Sequence, residues 1–231
     1  MNVFNETLGH AHRVLFSSPV VVYSDFKQLK EIKDGHYSHH EIDLNYKESE
    51  TLEKAVTRIC DEALENAREG RGLIILTDRN IIRDSLPIPA PMAVGTVQKA
   101  LAENNLRCDS NIIVETASVR DPHHFGVLIG FGATAVYPYL VYETLAKLVE
   151  DKVVSLSITE TIRNYRKGIE KGLLKIMSKM GISTISSYRC SQLFEAVGIG
   201  EEVIEKCFKG VESRIDGAKF EDFQQDQKRL S

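Results

Sequence analysis

The chain contains no tryptophan, four cysteines and only six prolines among its 231 residues. The cysteines are Cys60, Cys108, Cys190 and Cys207. No two of them form a C-x-x-C pattern, which excludes a zinc ribbon and a thioredoxin-like motif. Four cysteines are too few for a disulfide scaffold of this length. We therefore expect reduced thiols and a cytoplasmic protein.

An excess of positive charge and a long unbroken apolar run are also missing. Lysine and arginine number 29 against 33 acidic residues, which gives a formal charge of −4 and argues against a nucleic-acid partner. The most apolar stretch, about 127–149, is broken by Pro138, Glu143 and Lys147, so we expect no membrane span. The apolar fraction of 42% is typical of a globular protein.

Apolar patterning predicts alternating strands and helices from about residue 50 to 208. Buried strands are predicted at 72–76, 111–114, 133–137 and 182–185. Helices are predicted at 50–69, 92–103, 121–130, 139–150, 158–180, 190–196 and 200–208. A short helix at 25–32, capped by Ser24, and a strand at 41–44 are predicted before them. The alternation predicts an α/β fold with a mostly parallel sheet and flanking helices, either half of a (β/α)8 barrel or a small open sheet.

Local signals predict where several helices begin and end. Ser49 is expected to cap the helix that Gly70 ends. Asp121-Pro122 is a cap and first-turn pair, and Ser157 with Glu160 has the spacing of a capping box.

The sequence Gly130-Phe131-Gly132 resembles the start of a dinucleotide-binding fingerprint. That motif needs a strand before it and a helix after it, so that the helix N-terminus meets the phosphates. Here the predicted order is the reverse. We therefore expect a helix-to-strand turn.

Polar residues follow the predicted strands at their carboxyl ends, where parallel α/β folds bind ligands. We name this set the polar rim: Asp78, Arg79, Glu115, Arg120, His123, His124, Tyr188 and Arg189. It can be a binding or interface site, or a group of charges that pair with each other and cap helices. Two histidines adjacent on a helix point about 100° apart, so we expect no shared metal ion. No catalytic, cofactor-binding or metal-binding residue is assigned.

A series of longer motifs runs through the chain in one order. They include Gly-Leu-Ile-Ile-Leu-Thr-Asp-Arg at 72–79, Pro-Ile-Pro-Ala-Pro-Met-Ala-Val-Gly at 87–95, Asp-Pro-His-His-Phe at 121–125, Gly-Phe-Gly-Ala-Thr-Ala-Val-Tyr-Pro-Tyr-Leu at 130–140 and Lys-Gly-Leu-Leu-Lys-Ile-Met-Ser-Lys-Met-Gly-Ile-Ser-Thr at 171–184. From about residue 14 to 217 the chain resembles the central domain of the large subunit of glutamate synthase.

The resemblance implies a role in an enzyme family that makes glutamate from glutamine and 2-oxoglutarate. In that family an amidotransferase domain with an N-terminal cysteine nucleophile precedes the central domain. An FMN-binding barrel with a 3Fe–4S cluster and then a β-helix follow it. The resemblance implies a degenerate (β/α) barrel-like fold, related in topology to the FMN-binding barrel but without flavin, that contributes to the route of ammonia.

The chain departs from the full enzyme in ways that bear on activity. Asn2 stands where the cysteine nucleophile would follow Met1, and no cysteines have the close spacing of a cluster motif. We therefore expect no catalysis by the isolated chain and no cofactor in this segment. The family pattern Ser-Tyr-Arg-Gly-Ala-Gln is Ser-Tyr-Arg-Cys-Ser-Gln at 187–192, which argues against a strict backbone role for a glycine at position 190.

The resemblance also predicts the organisation of the chain and its partners. Residues 1–48 are an irregular N-terminal segment of the domain, 49–217 its core, and 218–231 a polar tail or linker toward an FMN domain. The expected partners are the amidotransferase and FMN-binding domains, with self-association through exposed domain interfaces as a further outcome. The alternative is a free-standing domain that binds a small anion at the rim around Asp78, Glu115 and Arg120.

Overall fold

The computed structural model of the chain describes residues 14–32, 35 and 37–230. Four strands of this part form one sheet: β1 (His39–Asp43), β3 (Leu73–Thr77), β5 (Asn111–Glu115) and β6 (Ala135–Tyr137). They lie in the order β1-β3-β5-β6, and every neighbouring pair is parallel. The predicted α/β fold with a mostly parallel sheet and flanking helices is confirmed. Over the described residues the sheet is open.

The central strands are buried on both faces, as their unbroken apolar runs predict. In β3, Ile74 and Leu76 pack on one face, and Leu73 and Ile75 pack on the other. The first face is covered by α2 (Leu52–Arg68), α3 (Ala90–Glu103) and α4 (Pro122–Gly130). The second is covered by α1 (Tyr23–Lys30) and α5 (Tyr139–Glu150). Alternating residues of one strand therefore serve two separate cores.

Helix caps follow the sequence signals in part. The capping box of α6 (Ile158–Lys179) is confirmed: the Glu160 amide donates to Ser157 Oγ at 3.3 Å, and the Ser157 amide donates to Glu160 Oε2 at 3.1 Å. Thr51, rather than Ser49, caps α2. Thr51 lies directly before the first helical residue, so its hydroxyl reaches the free amides that Ser49 cannot.

The Asp121-Pro122 start of α4 is confirmed, since the Asp121 carboxylate accepts two amide hydrogen bonds of the first turn at 2.9 and 3.1 Å. Ser24 does not cap α1, which already includes it. Gly70 ends α2 with a φ of +82°, and Gly132 turns the chain from α4 into β6 with a φ of +123°. The helix-to-strand turn at Gly132 is therefore confirmed.

The strand predicted at 182–185 is wrong. Gly181 ends α6, and the next element is the short helix α7 (Ile185–Tyr188). Residues 182–184 have no regular structure and pair with no strand, and Ile182 and Ile185 pack against the main core from the turn and from the start of α7. A short apolar run does not distinguish the two structures by its pattern alone. The predicted helix at 190–196 is also wrong, because β7 (Glu195–Ala196) pairs there with β8 (Glu212–Ser213).

Position 190 has a constrained backbone, contrary to the sequence-based expectation. Cys190 adopts a φ of +58°, in the left-handed region that favours glycine. Its amide donates to the carbonyl of Gly130 at 3.0 Å, which holds the turn against the end of α4. Cys190 therefore occupies a backbone conformation that glycine would adopt with less strain.

The end of the described chain packs on the core. After α8 (Glu201–Cys207), residues predicted as a polar tail form α9 (Phe220–Leu230). Phe220 is buried in the main core. The Gln224 side chain accepts from the Leu52 amide and donates to the Glu50 carbonyl, both at 3.0 Å. Although α9 is polar in composition, it buries the Phe220 ring and holds the start of α2 through the side-chain amide of Gln224.

Two further strands lie beside the sheet. β2 (Asn45–Lys47) and β4 (Ser85–Pro87) pair antiparallel. The described part of the segment 1–48 thus contributes α1, β1 and β2; residues 1–13 lie outside the described residues. Among the helices described, none is both long and apolar enough to cross a membrane.

Candidate functional site

The carboxyl ends of β3, β5 and β6 meet at one edge of the sheet, above a cavity of about 640 Å³. We name the polar residues there the rim network: Thr77, Asp78, Arg79, Glu115, Thr116, Tyr139 and Glu143. Parallel register places Thr77 beside Glu115 and Glu115 beside Tyr137. The rim cavity is lined from α1 and α5 as well as from the strand ends.

Glu115 is the most constrained charge of the rim network. Its side chain is almost fully buried, at 5% exposure. Arg79 Nε donates to Glu115 Oε1 at 2.8 Å, and Thr77 Oγ1 donates to Oε2 at the same distance. Arg79 also donates to Glu143 at 2.9 Å, and its guanidinium lies 4.2 Å from the centre of the Tyr139 ring. Arg79 therefore links a buried carboxylate to an exposed one across the cavity wall.

Asp78 is buried behind this pair. Its carboxylate accepts from Thr116 Oγ1 at 2.5 Å and from the Ala117 amide at 3.1 and 3.2 Å. Burial raises the pKa of Asp78, and the hydrogen bonds from Thr116, Ala117 and Tyr139 oppose that rise. Burial also raises the pKa of Tyr139, and the charge of Asp78 adds to the effect.

Arg120 and the two histidines of the predicted polar rim do not join the rim network. Arg120 is exposed and has no ion pair among the described residues. Its carbonyl accepts from the Tyr165 hydroxyl at 3.0 Å, which ties the start of α4 to α6. His123 and His124 open α4 beside Asp121, with ring centres 6.3 Å apart. The described chain holds no group of three His, Cys, Asp or Glu side chains that could bind a metal.

Tyr188 and Arg189 lie away from the rim network. Tyr188 is 1% exposed and packs in the main core, near Gly126. Arg189 donates to Thr134 Oγ1 at 3.0 Å. Thr134 precedes β6, so Arg189 lies at the amino edge of the sheet. The prediction placed Tyr188 and Arg189 at the carboxyl edge because it treated 182–185 as a strand of the sheet. Since 182–185 is not a strand, the residues after it do not lie at that edge.

The aromatic half of the rim cavity was not predicted as a site. Tyr23 and Phe26 on α1 face Tyr137, Tyr139 and Tyr142 across it. Phe26 stacks on Tyr137 with ring centres 4.5 Å apart. The signal was present in the sequence as a cluster of tyrosines where β6 passes into α5. The contribution of α1 depends on tertiary packing, which the sequence pattern does not show.

The rim network does not fit a flavin phosphate. Such a phosphate needs free backbone N–H groups at a turn or helix start. Here the Ala117 amide donates to Asp78, the Ser118 amide to Thr116 Oγ1 and the Arg79 amide to Thr77 Oγ1. The Asp78 carboxylate therefore occupies the position that an anion would take, and its charge and that of Glu115 would repel a phosphate.

Fold and site together define an open α/β domain whose carboxyl edge carries a buried, internally paired polar network. The family model of the glutamate synthase central domain matches residues 1–200. The chain is 39% identical over 228 residues to the NADH glutamate synthase of Schizosaccharomyces pombe, covering 95% of this chain and 11% of that protein. It is 37% identical over 208 residues to the NADPH glutamate synthase large chain of Bacillus subtilis, covering 90% and 14%. The chain belongs to the glutamate synthase central domain family.

Two solved structures are similar to the chain over most of its length. The recombinant flavin-binding domain of baker's yeast flavocytochrome b2 has a TM-score of 0.47 at 12% identity, over 82% of this chain and 44% of that one. A flavocytochrome b2 variant with sulfite bound has a TM-score of 0.49 at 11% identity, over 82% and 45%.

Proposed function

We propose that the chain acts as the central domain of a glutamate synthase, joining an amidotransferase part to an FMN-binding part in the cytoplasm and contributing to the route of ammonia between them. The observation that carries this proposal is the family match over residues 1–200. The chain spans only 11–14% of the length of the curated relatives that we compared. We therefore attribute glutamate formation to the larger assembly in which the chain is proposed to take part.

The chemistry of the rim network supports a non-catalytic role. Both buried carboxylates have fixed partners: Glu115 is held by Thr77 and Arg79, and Asp78 by Thr116 and Ala117. A general base must reach a substrate proton and keep a lone pair free for it. In the described part of the rim, Glu115 is ion-paired with Arg79 and each buried carboxylate accepts hydrogen bonds from the end of a neighbouring strand, which favours a structural role over proton transfer.

Exposed apolar residues beside the rim cavity support docking to neighbouring domains. Ile81 and Ile82 directly follow the rim, and their side chains are 52% and 71% exposed. Leu140 and Tyr23 lie next to or in the cavity wall and are 45% and 65% exposed. Large apolar groups at one edge are typical of a surface that a partner covers. This observation favours a module of a larger enzyme over a free-standing domain.

A domain exchange tests the proposal. The corresponding segment of the Bacillus subtilis large chain is replaced by this chain, and the chimera is purified as the holoenzyme. We expect glutamine-dependent glutamate synthesis to be retained. Amide-¹⁵N glutamine supplied with unlabelled ammonium should give glutamate whose label is not diluted, because ammonia passes internally.

A matched chimera distinguishes transfer from assembly. It carries Ile82→Asp, which places a charge on the exposed apolar edge without touching the rim network. We expect the glutamate made by this chimera to carry less ¹⁵N, because unlabelled ammonium from the solution mixes with the ammonia released from glutamine. Glutamate synthesis from free ammonium should persist. A folded parent chimera that forms glutamate only from free ammonium would contradict the transfer role. A chimera without either activity would contradict the central-domain role itself.

A further inference from the structure

A second cavity lies at the opposite edge of the sheet from the rim network. It encloses about 430 Å³ between α3, the end of α4, the segment 190–194 and α8. Three phenylalanines form much of its wall. The Phe131 ring lies 5.5 Å from Phe194 and 4.9 Å from Phe208, measured between ring centres. We name it the amino-edge cavity. Its volume is within the range of small-molecule sites, about 300–1,000 Å³.

Two arginines beside this cavity have only neutral partners. Arg107 donates to the Gln98 side chain, to the Ser110 carbonyl and, at 3.0 Å, to the Gly132 carbonyl. Arg189 donates to Thr134 Oγ1. Among the described residues, neither guanidinium has a carboxylate oxygen within 4.0 Å. By contrast, Arg79 at the rim has two carboxylate partners.

The uncompensated charge is therefore concentrated at one place. Both arginines are half-buried, and burial, followed by the charge of Arg189, lowers the pKa of Arg107. Two cations in each other's field and without a carboxylate are unfavourable in the free protein. An anion brought beside them would relieve that cost and form charge-assisted hydrogen bonds.

The two arginines are connected to the amino-edge cavity through its lining residues. Gln98, which accepts from Arg107, lines the cavity, and so does Cys190, which directly follows Arg189. Both guanidiniums are close enough to affect the Cys190 thiol. Burial raises the pKa of Cys190, and the charges of Arg107 and Arg189 oppose that rise. One wall of the cavity is thus aromatic, and Arg107 and Arg189 lie directly behind its lining residues Gln98 and Cys190. The charged residues of the lining itself are Lys99, Glu103 and Lys209, of which Glu103 and Lys209 form an ion pair at 2.8 Å.

We propose that the amino-edge cavity binds a small organic anion with a flat apolar body, the ring against Phe131 and Phe194 and the anionic group toward Arg107 and Arg189. The cavity supplies an aromatic wall, and the two arginines behind Gln98 and Cys190, together with Lys99 in the lining, supply the positive charge. This site is separate from the rim network and does not depend on the proposed role in ammonia transfer.

Calorimetric titration of the full chain with 1-naphthoate tests the proposal, with the neutral naphthalene-1-carboxamide as the matched ligand. We expect saturable one-to-one binding of the acid, weakened by salt, and about tenfold weaker binding of the amide, as for the loss of a charged hydrogen bond. Arg189→Met should weaken the binding of 1-naphthoate by a similar factor. Arg120→Met, an exposed arginine at the other edge, should leave its affinity unchanged.

Alkylation of the cysteines by iodoacetamide, followed by peptide mass spectrometry, gives a second readout on the unmutated chain. Naphthoate should slow the modification of Cys190, which lines the cavity, and leave exposed Cys108, which does not line it, unaffected. Acid and amide binding with equal affinity would overturn the anion assignment. An absence of saturable binding, or equal protection of both thiols, would overturn the site.

Discussion

Replacing Arg79 by methionine should destabilise the domain, because it leaves Glu115 buried without its cation. Breaking a fully buried pair costs about 3–5 kcal/mol. The Arg79 side chain is 40% exposed, so water replaces part of what is lost, and we expect about 2 kcal/mol. For a chain of this length that corresponds to a fall in melting temperature of roughly 4–8 °C. Thermal unfolding followed by circular dichroism measures it.

The matched control is Arg120→Met. Arg120 is exposed and unpaired among the described residues, so we expect its free energy of unfolding to change by less than about 0.5 kcal/mol. A double-mutant cycle with Glu115→Gln separates the pair from general damage and should show a coupling of about 1–2 kcal/mol. Equal melting temperatures for Arg79→Met and the wild type, or zero coupling, would refute the reasoning.

Three further predictions concern pH, backbone strain and flavin. Asp78→Asn should become more stable relative to the wild type as pH rises above about 4, the ordinary pKa of aspartate. A buried carboxyl with a raised pKa lowers the free energy of unfolding as pH rises through that pKa, while asparagine does not titrate. Urea unfolding across pH measures this, and a pH-independent difference would contradict it. Cys190→Gly should stabilise the chain by about 0.5–1 kcal/mol by relieving a positive φ, and a lower melting temperature would contradict this. FMN fluorescence should remain unchanged on titration with the chain, because Asp78 occupies the amide donors that a phosphate requires; stoichiometric quenching at micromolar concentration would contradict this.

Much of the sheet could be predicted because its strands have a strong local signal. The runs at β3, β5 and β6 are continuous, apolar and of strand length, which only a strand buried on both faces needs. The predicted strand at 41–44 is also confirmed as β1, within two residues at its start. The fourth strand of the sheet is therefore β1, before the regular alternation, rather than a strand at 182–185.

The residues of the polar rim could be predicted only where the strands were right. Asp78 and Arg79 follow one correctly predicted strand and Glu115 ends another, and Arg79 pairs with Glu115 across them. Arg189 follows a segment whose apolar residues fit a helix turn and a strand equally well, and it lies at the other edge. The position of a side chain at a sheet edge thus depends on the type of the element before it, which a four-residue pattern does not determine.

The two edges of the sheet use charge in opposite ways. At the carboxyl edge, every buried carboxylate of the rim network has a donor, and Arg79 is neutralised by Glu115 and Glu143. The charges at that edge therefore neutralise each other. Such pairing is suited to a surface that keeps its shape while another domain docks on it. At the amino edge, the guanidiniums of Arg107 and Arg189 have hydrogen-bond acceptors but no carboxylate among the described residues to neutralise their charge. The guanidiniums that lack a carboxylate therefore lie behind the lining of the amino-edge cavity and not at the edge where parallel α/β folds usually bind their ligands.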